Sequence, residues 1–528
     1  MLHKQTVVQA TILISIINIL SKVVGYVREM LIAKYFGATG VMDAYVIGLQ
    51  VPTLVLGLFA GGLGTLIIPM YISRKQKDPQ DAKRYVNQIL VVWGTIFLVV
   101  SALTAVLAPQ LVKMVAYGFE GERFNLAVQI TRLLALYGFL NIINSYFLGL
   151  IQAEKQFVVT ALSAAGFNLV FVTLLIILNK YFGIYTLVIG TYVMLFGNLL
   201  VSIYLLTTRY NLLQLRKLYI NWQEVKEFFV LLAPLLLSAG VGTINAIVDR
   251  TIASTLPHGS IAALQYSNKI WTLPTSLFVG SITIAIFPSF SELASNKLKI
   301  LEYKQSINKT IIALMYFLVP SSVFLIMFSY PITKLFYERG VFDSQATSLT
   351  SFVSQMYCIG ILFMALYPIL MKVFYSFKNT ITPLLISILA VGFNVLGNII
   401  LSKYLFAGGI ALSTSISQLV GFVIAYFLLA RYFKTKEINS TSTGSNLLFE
   451  FMKVIIASIP MTAIGFLLIP WASISSPFIT QALKLALITL ILGIVFYCTS
   501  AILKTKGHEI AKGYLMRGVK IFCFKTKL

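Results

Sequence analysis

The chain has 528 residues, of which 58% are hydrophobic and 11% are charged. Because soluble globular proteins carry about 25% charged residues, this composition excludes an ordinary soluble enzyme and indicates a polytopic membrane protein. The formal net charge of +24 comes from 41 Lys and Arg against 17 Asp and Glu. Basic cytoplasmic loops and anionic lipid headgroups explain such an excess in a membrane protein, so we expect no nucleic-acid partner.

Apolar stretches of about 20 residues or more follow one another along almost the whole chain, and each is long enough to cross a bilayer as a helix. We therefore predict an all-α polytopic membrane protein with about 14 transmembrane helices. The first apolar stretch is too long for a cleaved signal peptide and is predicted to be a retained span. The candidate spans are 7–34, 41–72, 85–112, 126–152, 157–180, 183–206, 225–255, 261–290, 308–330, 347–373, 382–402, 405–431, 448–470 and 480–503.

The loops between these stretches alternate in charge. Segments 73–84, 207–226, 291–309 and 431–437 are rich in Lys and Arg, as is the tail 504–528, whereas the intervening loops hold few basic residues. The positive-inside rule then places both termini in the cytoplasm. The tail mixes basic and apolar residues, which is typical of an interfacial helix on anionic phospholipids.

The opening hairpin of the chain recurs in its second half. The string LFAGGLGTLIIP at 58–69 resembles LFVGSITIAIFP at 277–288, and Arg28 maps onto Arg250 at the offset that relates Pro52 to Pro274. This repeat predicts two pseudo-symmetric six-helix lobes around a central cavity, followed by two extra C-terminal helices. The predicted divisions are an N-lobe at 1–222, a C-lobe at 223–440, the extra helix pair at 441–503 and a basic cytoplasmic tail at 504–528.

Charged residues inside the apolar stretches point to a polar interior. A cation at the centre of a bilayer costs at least about 2.5–3.5 kcal/mol, so these side chains are predicted to line a wet cavity that binds an anion, with a phosphate group as the best match. The alternative is that Lys22 and Arg28 each pair with a carboxylate and only hold helices together. The predicted substrate-binding residues are Lys22, Arg28, Glu29, Asp43, Arg250 and Lys269.

A second polar group lies in the later spans. Asn394 and Asn398 are four residues apart and share a helix face, and Thr414 follows in the next span. These side chains either join helices by hydrogen bonds or act, together with Asp249, as oxygen ligands for a coupling cation. Asp249 and its neighbour Arg250 have a further alternative role as a local ion pair between helices.

No enzyme signature is present in the sequence. It has neither the phosphate-binding GxxxxGK[ST] motif nor the zinc-binding HExxH motif, and no long soluble segment for a nucleotide-binding domain. The few Cys and His residues show no disulfide or metal spacing. We therefore expect no catalytic residues, metal or cofactor, and we expect transport work to come from a Na⁺ or H⁺ gradient or from the membrane potential.

The stretch SKVVGYVREMLIAKYFGATGVMDAYVIGLQVPTLVLGLFAGG resembles the lipid II flippase family (MurJ, also called MviN) of the MOP transporter superfamily. Three later strings match the same family in order: VDRTIASTLPHGSIAALQYSNKIWTLP, RGVFD and FYSFKNTITP. The resemblance implies fourteen helices, a V-shaped cavity, alternating access, and a hydrophobic groove beside spans 13 and 14 for the polyprenyl tail. It also implies a multi-pass protein of the bacterial cytoplasmic membrane that serves peptidoglycan biosynthesis and cell shape, and a monomer is expected.

The resemblance extends to single residues. Arg28 and Asp43 match functionally important positions of the family, whereas Lys22 and Lys269 stand where the family usually has Arg. Leu56 replaces a family Arg, and Gly61 replaces the usual Glu.

Some members of the family have a sodium site, and this sequence matches it in part. Asp249, Asn394 and Thr414 match three of its ligands. Asn398 stands in place of a carboxylate ligand, which weakens a sodium site.

The predicted function is a flippase that moves a polyprenyl-pyrophosphate-linked glycan, with lipid II favoured, from the cytoplasmic to the outer leaflet. Because the family Arg and Glu are absent at Leu56 and Gly61, the substrate could instead be another lipid-linked oligosaccharide, such as a capsule or O-antigen precursor. A MATE-like antiporter of small organic cations is a further alternative, and it predicts a cavity of carboxylates and aromatics. A membrane-bound transferase or scaffold is the last alternative.

Overall fold

The computed structural model describes residues 7–154, 156–213, 220–295, 300–377, 379–435, 443–474 and 476–513. Over these residues the chain is almost entirely helical, with one isolated β-bridge between Arg339 and Phe342, so the predicted all-α class is confirmed. A short π-helical segment, Leu205–Arg209, extends α7. The α-helices are α1 (Val7–Phe36), α2 (Gly40–Lys77), α3 (Pro79–Val106), α4 (Ala108–Val115), α5 (Gly121–Ala153), α6 (Phe157–Phe182), α7 (Tyr185–Tyr204), α8 (Trp222–Ser254), α9 (Ser260–Ser295), α10 (Ile300–Met327), α11 (Ser329–Tyr337), α12 (Ser344–Ile359), α13 (Ile361–Ser376), α14 (Ile381–Thr435), α15 (Thr443–Ser473) and α16 (Phe478–Ile502).

Many of these helices have the length and composition of membrane spans. Within the described ranges, 9 are long and apolar enough to cross a bilayer, or 10 if the bent pair α12 and α13 forms one span. All the predicted stretches lie in helix apart from short breaks. The polytopic prediction is confirmed, and the count of about 14 spans stays a prediction.

Helix α14 contains two antiparallel halves. Its backbone breaks at Phe406, where φ is 49° and ψ is −131°. A Cβ on Gly409 would lie 2.3 Å from the carbonyl oxygen of Leu401, and one on Gly397 would lie 2.4 Å from Ser413 Oγ. Because small residues let helix backbones approach closely, these glycines allow the chain to fold back tightly, as the separate predicted spans 382–402 and 405–431 require.

The chain divides into two compact units. Unit 1 contains Met1–Ala262 together with Arg339–Asp343, and unit 2 contains Ala263–Glu338 and Ser344–Leu528. Contacts between residues define these two units, whereas the sequence repeat defined the predicted lobes. The two lobes and the added helix pair therefore stay predictions.

Unit 1 is built on the contact between α2 and α5. An added Cβ on Gly48 would lie 2.5 Å from Ile130 Cγ2, and one on Gly138 would lie 2.6 Å from Leu56 Cδ1. The two glycines therefore allow the two helices to lie in direct contact, with Leu56 filling the space beside Gly138.

A network of four charged residues fixes one end of unit 1. Arg74 Nη1 lies 2.8 Å from Asp81 Oδ2 and 3.2 Å from Glu224 Oε1, and Arg84 Nη2 lies 2.6 Å from Asp81 Oδ1 and 2.8 Å from Glu224 Oε1. Gln88 Nε2 donates to the second oxygen of Glu224. Two arginines and two carboxylates therefore join the end of α2 and the start of α3 to the start of α8.

The turn between α1 and α2 packs against residues from much later in the chain. The backbone N–H of Val341 donates to the Lys34 carbonyl at 2.9 Å. Gly37 and Gly340 both adopt left-handed backbone, with φ of 60° and 61°. An added Cβ on Gly340 would lie 2.3 Å from the Lys34 carbonyl oxygen. Glycine is therefore required at position 340 both for its conformation and for this contact.

We expect Gly340→Ala to destabilise the protein because alanine must adopt a left-handed backbone and push against the Lys34 carbonyl. Gly121→Ala is the matched control, since φ there is +55° and nothing lies within 4 Å of an added Cβ. The apparent Tm of the purified full-length protein in detergent should fall about 2–4 °C further for Gly340→Ala than for the control. Equal shifts for the two variants would contradict the role given to this contact.

Candidate functional site

Arg28 lies on α1 within a set of contacts that joins α1 to α6. Its Nη2 donates to Glu29 Oε1 at 3.0 Å, and its Nη1 donates to Asn168 Oδ1 at 2.9 Å. The guanidinium also lies over the Phe171 ring, 5.2 Å from the ring centroid. A carboxylate, an amide oxygen and an aromatic face together offset the cost of holding this cation in an apolar helix bundle.

For Arg28, these contacts correspond to the ion-pair alternative that the sequence left open. The pairing is nevertheless incomplete, because the Arg28 side chain is 21% exposed and its buried Nε has no hydrogen-bond partner among the described residues. A guanidinium offers five N–H donors in a planar fork. Arg28 therefore packs helices together while part of its guanidinium stays accessible, and its predicted contact with a substrate stays a prediction.

Lys22 differs from Arg28 in having no charged partner among the described residues. It is exposed on α1, and its ammonium forms no ion pair with any residue that the structure describes. A lysine on an apolar helix is costly unless its ammonium reaches water or an anion. Lys22 is thus an exposed cation on the same helix as Arg28, and its predicted contact with an anionic substrate stays a prediction.

Asp43 lies in the first turn of α2 and is fully buried. Its Oδ2 accepts from Arg123 Nη2 at 2.9 Å and from the backbone N–H of Gly259 at 2.7 Å. Its Oδ1 accepts from the backbone N–H of Ala262 at 2.7 Å. One carboxylate thus connects α2 to α5 and also caps the first turn of α9.

The backbone around this carboxylate is specified by sequence. Thr39 caps α2, with its Oγ1 accepting from the Met42 N–H at 3.4 Å. Gly259 has φ of +85°, and an added Cβ there would lie 2.1 Å from the Ala38 carbonyl oxygen. Only glycine fits that position. Since three protein donors already satisfy Asp43, its geometry is that of a structural clamp, and its predicted contact with substrate stays a prediction.

Asp249 and Arg250 lie on α8 and are partly exposed. Asn245 Nδ2 lies 3.5 Å from Asp249 Oδ2, at the limit of a hydrogen bond. Arg250 forms no ion pair within the described ranges, so the alternative of a local ion pair through Arg250 has no support there. Lys269 is partly buried on α9 in unit 2.

The later polar residues come together inside α14. Asn398 Nδ2 donates to Asn394 Oδ1 at 2.9 Å, and Asn394 Nδ2 donates to Thr414 Oγ1 at 3.3 Å. Ser413 Oγ donates to the Asn394 carbonyl at 2.7 Å. These bonds connect the two halves of α14, which is the geometry expected of the helix-joining alternative.

The proposed ion ligands fall in different units, because Asp249 belongs to unit 1 whereas Asn394, Asn398 and Thr414 belong to unit 2. Neutral amides occupy the interior of the α14 cluster, where a sodium ion needs oxygen ligands and negative charge. Among the residues described, no three His, Cys, Asp or Glu side chains group together as metal ligands.

An apolar cavity of about 500 Å³ lies within unit 2, between α9, α10, α15 and α16. Helices α15 and α16 are those beside which the family resemblance implies a groove for a lipid tail, and binding of a tail there stays a prediction. The volume is of the size that holds a small apolar ligand or a segment of a chain. Its walls include Leu277, Phe278, Phe317, Phe324, Leu492 and Phe496.

Sequence reasoning missed two partners of the charged residues, Asn168 and Arg123. Asn168 is a polar residue inside an apolar stretch, and such residues commonly serve as helix contacts or functional groups, so that signal was available. Arg123 lies at the first turn of α5, where the sequence indicated only a loop charge. Its pairing with Asp43 depends on how α2 and α5 pack.

Comparison with known proteins gives concordant matches. The profile of the family described as lipid II flippase MurJ matches residues 32–505. A protein of Rickettsia prowazekii (strain Madrid E) named probable lipid II flippase MurJ is 27% identical over 426 residues, covering 78% of this chain and 82% of the relative. A protein of the same name from Aquifex aeolicus (strain VF5) is 28% identical over 378 residues, covering 71% of this chain and 73% of the relative.

Solved structures match the fold. A structure titled lipid II flippase MurJ, inward closed conformation, has a TM-score of 0.71 at 24% identity and covers 92% of this chain and 99% of its own. An inward-facing MATE-family multidrug transporter of the MOP superfamily has a TM-score of 0.59 at 15% identity, covering 81% and 99%. At these identities the likeness concerns the fold alone.

The family profile covers most of the chain, and the helical fold, the apolar helices and the order of the sequence motifs agree with it. The chain therefore belongs to the lipid II flippase MurJ family, whose members are multi-pass inner-membrane transporters and not enzymes.

Proposed function

We propose that this chain moves lipid II, a polyprenyl-pyrophosphate-linked glycan, from the cytoplasmic to the outer leaflet by alternating access. It acts as a monomer with both termini in the cytoplasm, and it supplies peptidoglycan precursor. Family membership supports the substrate class. The single structural observation that carries the proposal is the exposed Lys22, which has no ion-pair partner among the described residues and lies on the same helix as the incompletely paired Arg28.

Lys22 and Arg28 together suit the binding of a pyrophosphate group. Lys22 and Arg28 are six residues apart on α1, which is about 9 Å along a helix axis. Lysine binds a phosphate as a point charge, and the arginine fork binds two of its oxygens. Glu29 holds the Arg28 fork in place through its 3.0 Å ion pair. Arg250 of unit 1 is a candidate for a further contact with the same headgroup, and the predicted substrate contact of Lys269 stays a prediction.

The apolar cavity of unit 2 suits the binding of the polyprenyl tail. A hydrocarbon chain that enters this volume of about 500 Å³ meets aromatic and aliphatic side chains, and burial in such surroundings is favourable. We propose that the tail lies between α9, α10, α15 and α16 while the headgroup crosses the membrane.

Two positions where this chain lacks the family's charged residues, Leu56 and Gly61, bear on which glycan is carried. Leu56 stands where the family usually has Arg, and here it is buried with its Cδ1 against Gly138 of α5. The position therefore serves helix packing in this chain. The surroundings of the Gly61 side-chain position lie outside the described residues. A flippase for another lipid-linked oligosaccharide is the second candidate, favoured by this loss of a cation at Leu56.

We propose that proton coupling or the membrane potential drives transport, without a resident cofactor. The neutral α14 cluster supports this choice over sodium coupling, because Asn398 replaces the carboxylate that sodium binding in the family implies. A cation antiporter is less well supported, because such a protein needs a surplus of carboxylates, whereas α1 carries a lysine with no ion-pair partner in the described part of the chain.

We expect Lys22→Glu to abolish complementation of a strain depleted of its lipid II flippase while protein levels stay normal. The ammonium has no described ion pair to break, so folding should tolerate the change, whereas repulsion of a pyrophosphate should lower transport at least about tenfold. Lys180→Glu, an exposed lysine at the end of α6, is the matched control and should complement. Full complementation by Lys22→Glu would refute the headgroup role.

We expect Gly493→Leu to block transport by filling the apolar cavity. Gly493 lines the cavity on α16, and nothing lies within 4 Å of a Cβ added there, so the larger side chain should enter the open volume without disturbing the fold. Leu490→Phe is the control, because Leu490 is 60% exposed on the same helix and does not line the cavity. The measurement is lipid II accessibility in the outer leaflet; wild-type flipping by Gly493→Leu would exclude tail binding in this cavity.

We expect Asn398→Asp to create a sodium response that the natural chain lacks. A carboxylate beside Asn394 and Thr414 supplies the negative charge that the cluster lacks. At a sodium concentration ten times the dissociation constant, the bound ion adds about 1.4 kcal/mol to the free energy of unfolding. Thermal unfolding in NaCl against KCl measures this effect, with Asn398→Ala as the uncharged control. A sodium-specific rise in the Tm of the natural chain would overturn the choice of coupling made above.

A further inference from the structure

A short helix beyond α16 is docked on unit 2. Residues 506–513 are helical and follow a turn in which Lys504 has φ of 49°. One side of this helix is buried through Gly507 and Ala511, while Lys506 and Lys512 are exposed. We call residues 506–513 the C-terminal helix.

Specific contacts hold the C-terminal helix in place. The backbone N–H of Lys506 donates to Glu450 Oε2 at 2.9 Å, and Glu450 is 3% exposed. The N–H of His508 donates to Thr505 Oγ1 at 3.2 Å. A Cβ added to Gly507 would lie 2.7 Å from Tyr316 Cβ, so the absence of a side chain lets the helix rest on α10. A buried carboxylate cap and a close glycine contact define one docking position.

The docked helix contacts two residues that line the apolar cavity. The His508 and Tyr497 rings lie 4.5 Å apart between centroids. His508 Nδ1 lies 3.4 Å from Ser500 Oγ, which in turn lies 3.0 Å from Tyr316 Oη. Tyr316 and Tyr497 both belong to the cavity wall. The C-terminal helix is therefore adjacent to one end of the cavity.

Positive charge is concentrated on this helix and the turn before it. Lys504, Lys506 and Lys512 are exposed, and none of the three forms an ion pair with a described residue. Two carboxylates lie nearby: Glu509 is exposed on the same helix, and Glu450 is occupied by the helix cap and by Lys453, whose Nζ lies 3.5 Å from its Oε1. The wall of an apolar cavity thus contacts a helix that carries exposed ammonium groups. This combination complements a molecule with a hydrocarbon chain and an anionic head.

We propose that Lys504, Lys506 and Lys512 form a binding site for the phosphate of a lipid whose hydrocarbon chain lies in the apolar cavity. The proposal rests on the proposed function only in placing a lipid chain there. A phospholipid phosphate and a polyprenyl diphosphate share this chemistry. The ring contact between His508 and Tyr497 joins the C-terminal helix to the cavity wall.

The test uses the full-length protein in phosphatidylcholine nanodiscs with three photoreactive probes: phosphatidylglycerol, a polyprenyl diphosphate and uncharged diacylglycerol, each with the photoreactive group on its chain. The variant is Lys504→Gln/Lys506→Gln/Lys512→Gln. The matched control replaces Lys77, Lys83 and Lys226 by Gln, which removes equal charge from lysines of unit 1 that form no ion pair with described residues.

Labelling of cavity peptides by at least one phosphate-bearing probe should require about fivefold or more probe in the triple variant, while diacylglycerol labelling and the control variant stay unchanged. Whichever of the two phosphate probes shows the effect identifies the source of the phosphate. Gly507→Leu, which displaces the helix without changing charge, should weaken the same labelling. Unchanged labelling in the triple variant, an equal loss for diacylglycerol, or wild-type binding by Gly507→Leu would each overturn the proposal. Failure here leaves the flippase proposal intact, because that proposal depends on transport by the Lys22 and Gly493 variants.

Discussion

The fold depends on how an apolar helix bundle accommodates ionised side chains. Arg28 is held by Glu29, Asn168 and the Phe171 ring, and Asp43 is held by Arg123 and two backbone N–H groups. Because an unsatisfied charge in such surroundings is expensive, these contacts specify which helices are neighbours. Lys22 differs from these residues, because it takes part in none of the described ion pairs that hold the helices of unit 1 together.

The two carboxylates illustrate how one residue type takes different roles. Glu29 pairs with a cation that is still partly exposed, so the pair can orient a fork toward a ligand. Asp43 is fully buried and accepts from three protein donors. Both carboxylates are buried, and they differ in their partners: Glu29 pairs with a partly exposed guanidinium, whereas Asp43 accepts from Arg123 and from two backbone N–H groups and so fixes the backbone.

Sequence reasoning predicted the helical class from the apolar stretches, and it predicted the family from motifs that stand in order along the chain. The substrate role of the cations on α1 stays a prediction. Sequence reasoning did not predict the pairing of Asp43 with Arg123, or the docking of the C-terminal helix through Glu450 and Gly507. These contacts join residues far apart in the sequence, and they depend on which helix faces pack together. The sequence showed Asn168 as a polar residue in an apolar stretch, but it did not show that Arg28 is its partner.

The return of Arg339–Asp343 to unit 1 has a topological consequence. Unit 1 is discontinuous in the chain, so a cut after Ala262 yields a first fragment without the segment that packs on the turn between α1 and α2. The two fragments would have to be produced together to restore that contact. During synthesis, likewise, unit 1 cannot be completed until the ribosome has passed well beyond its last continuous helix.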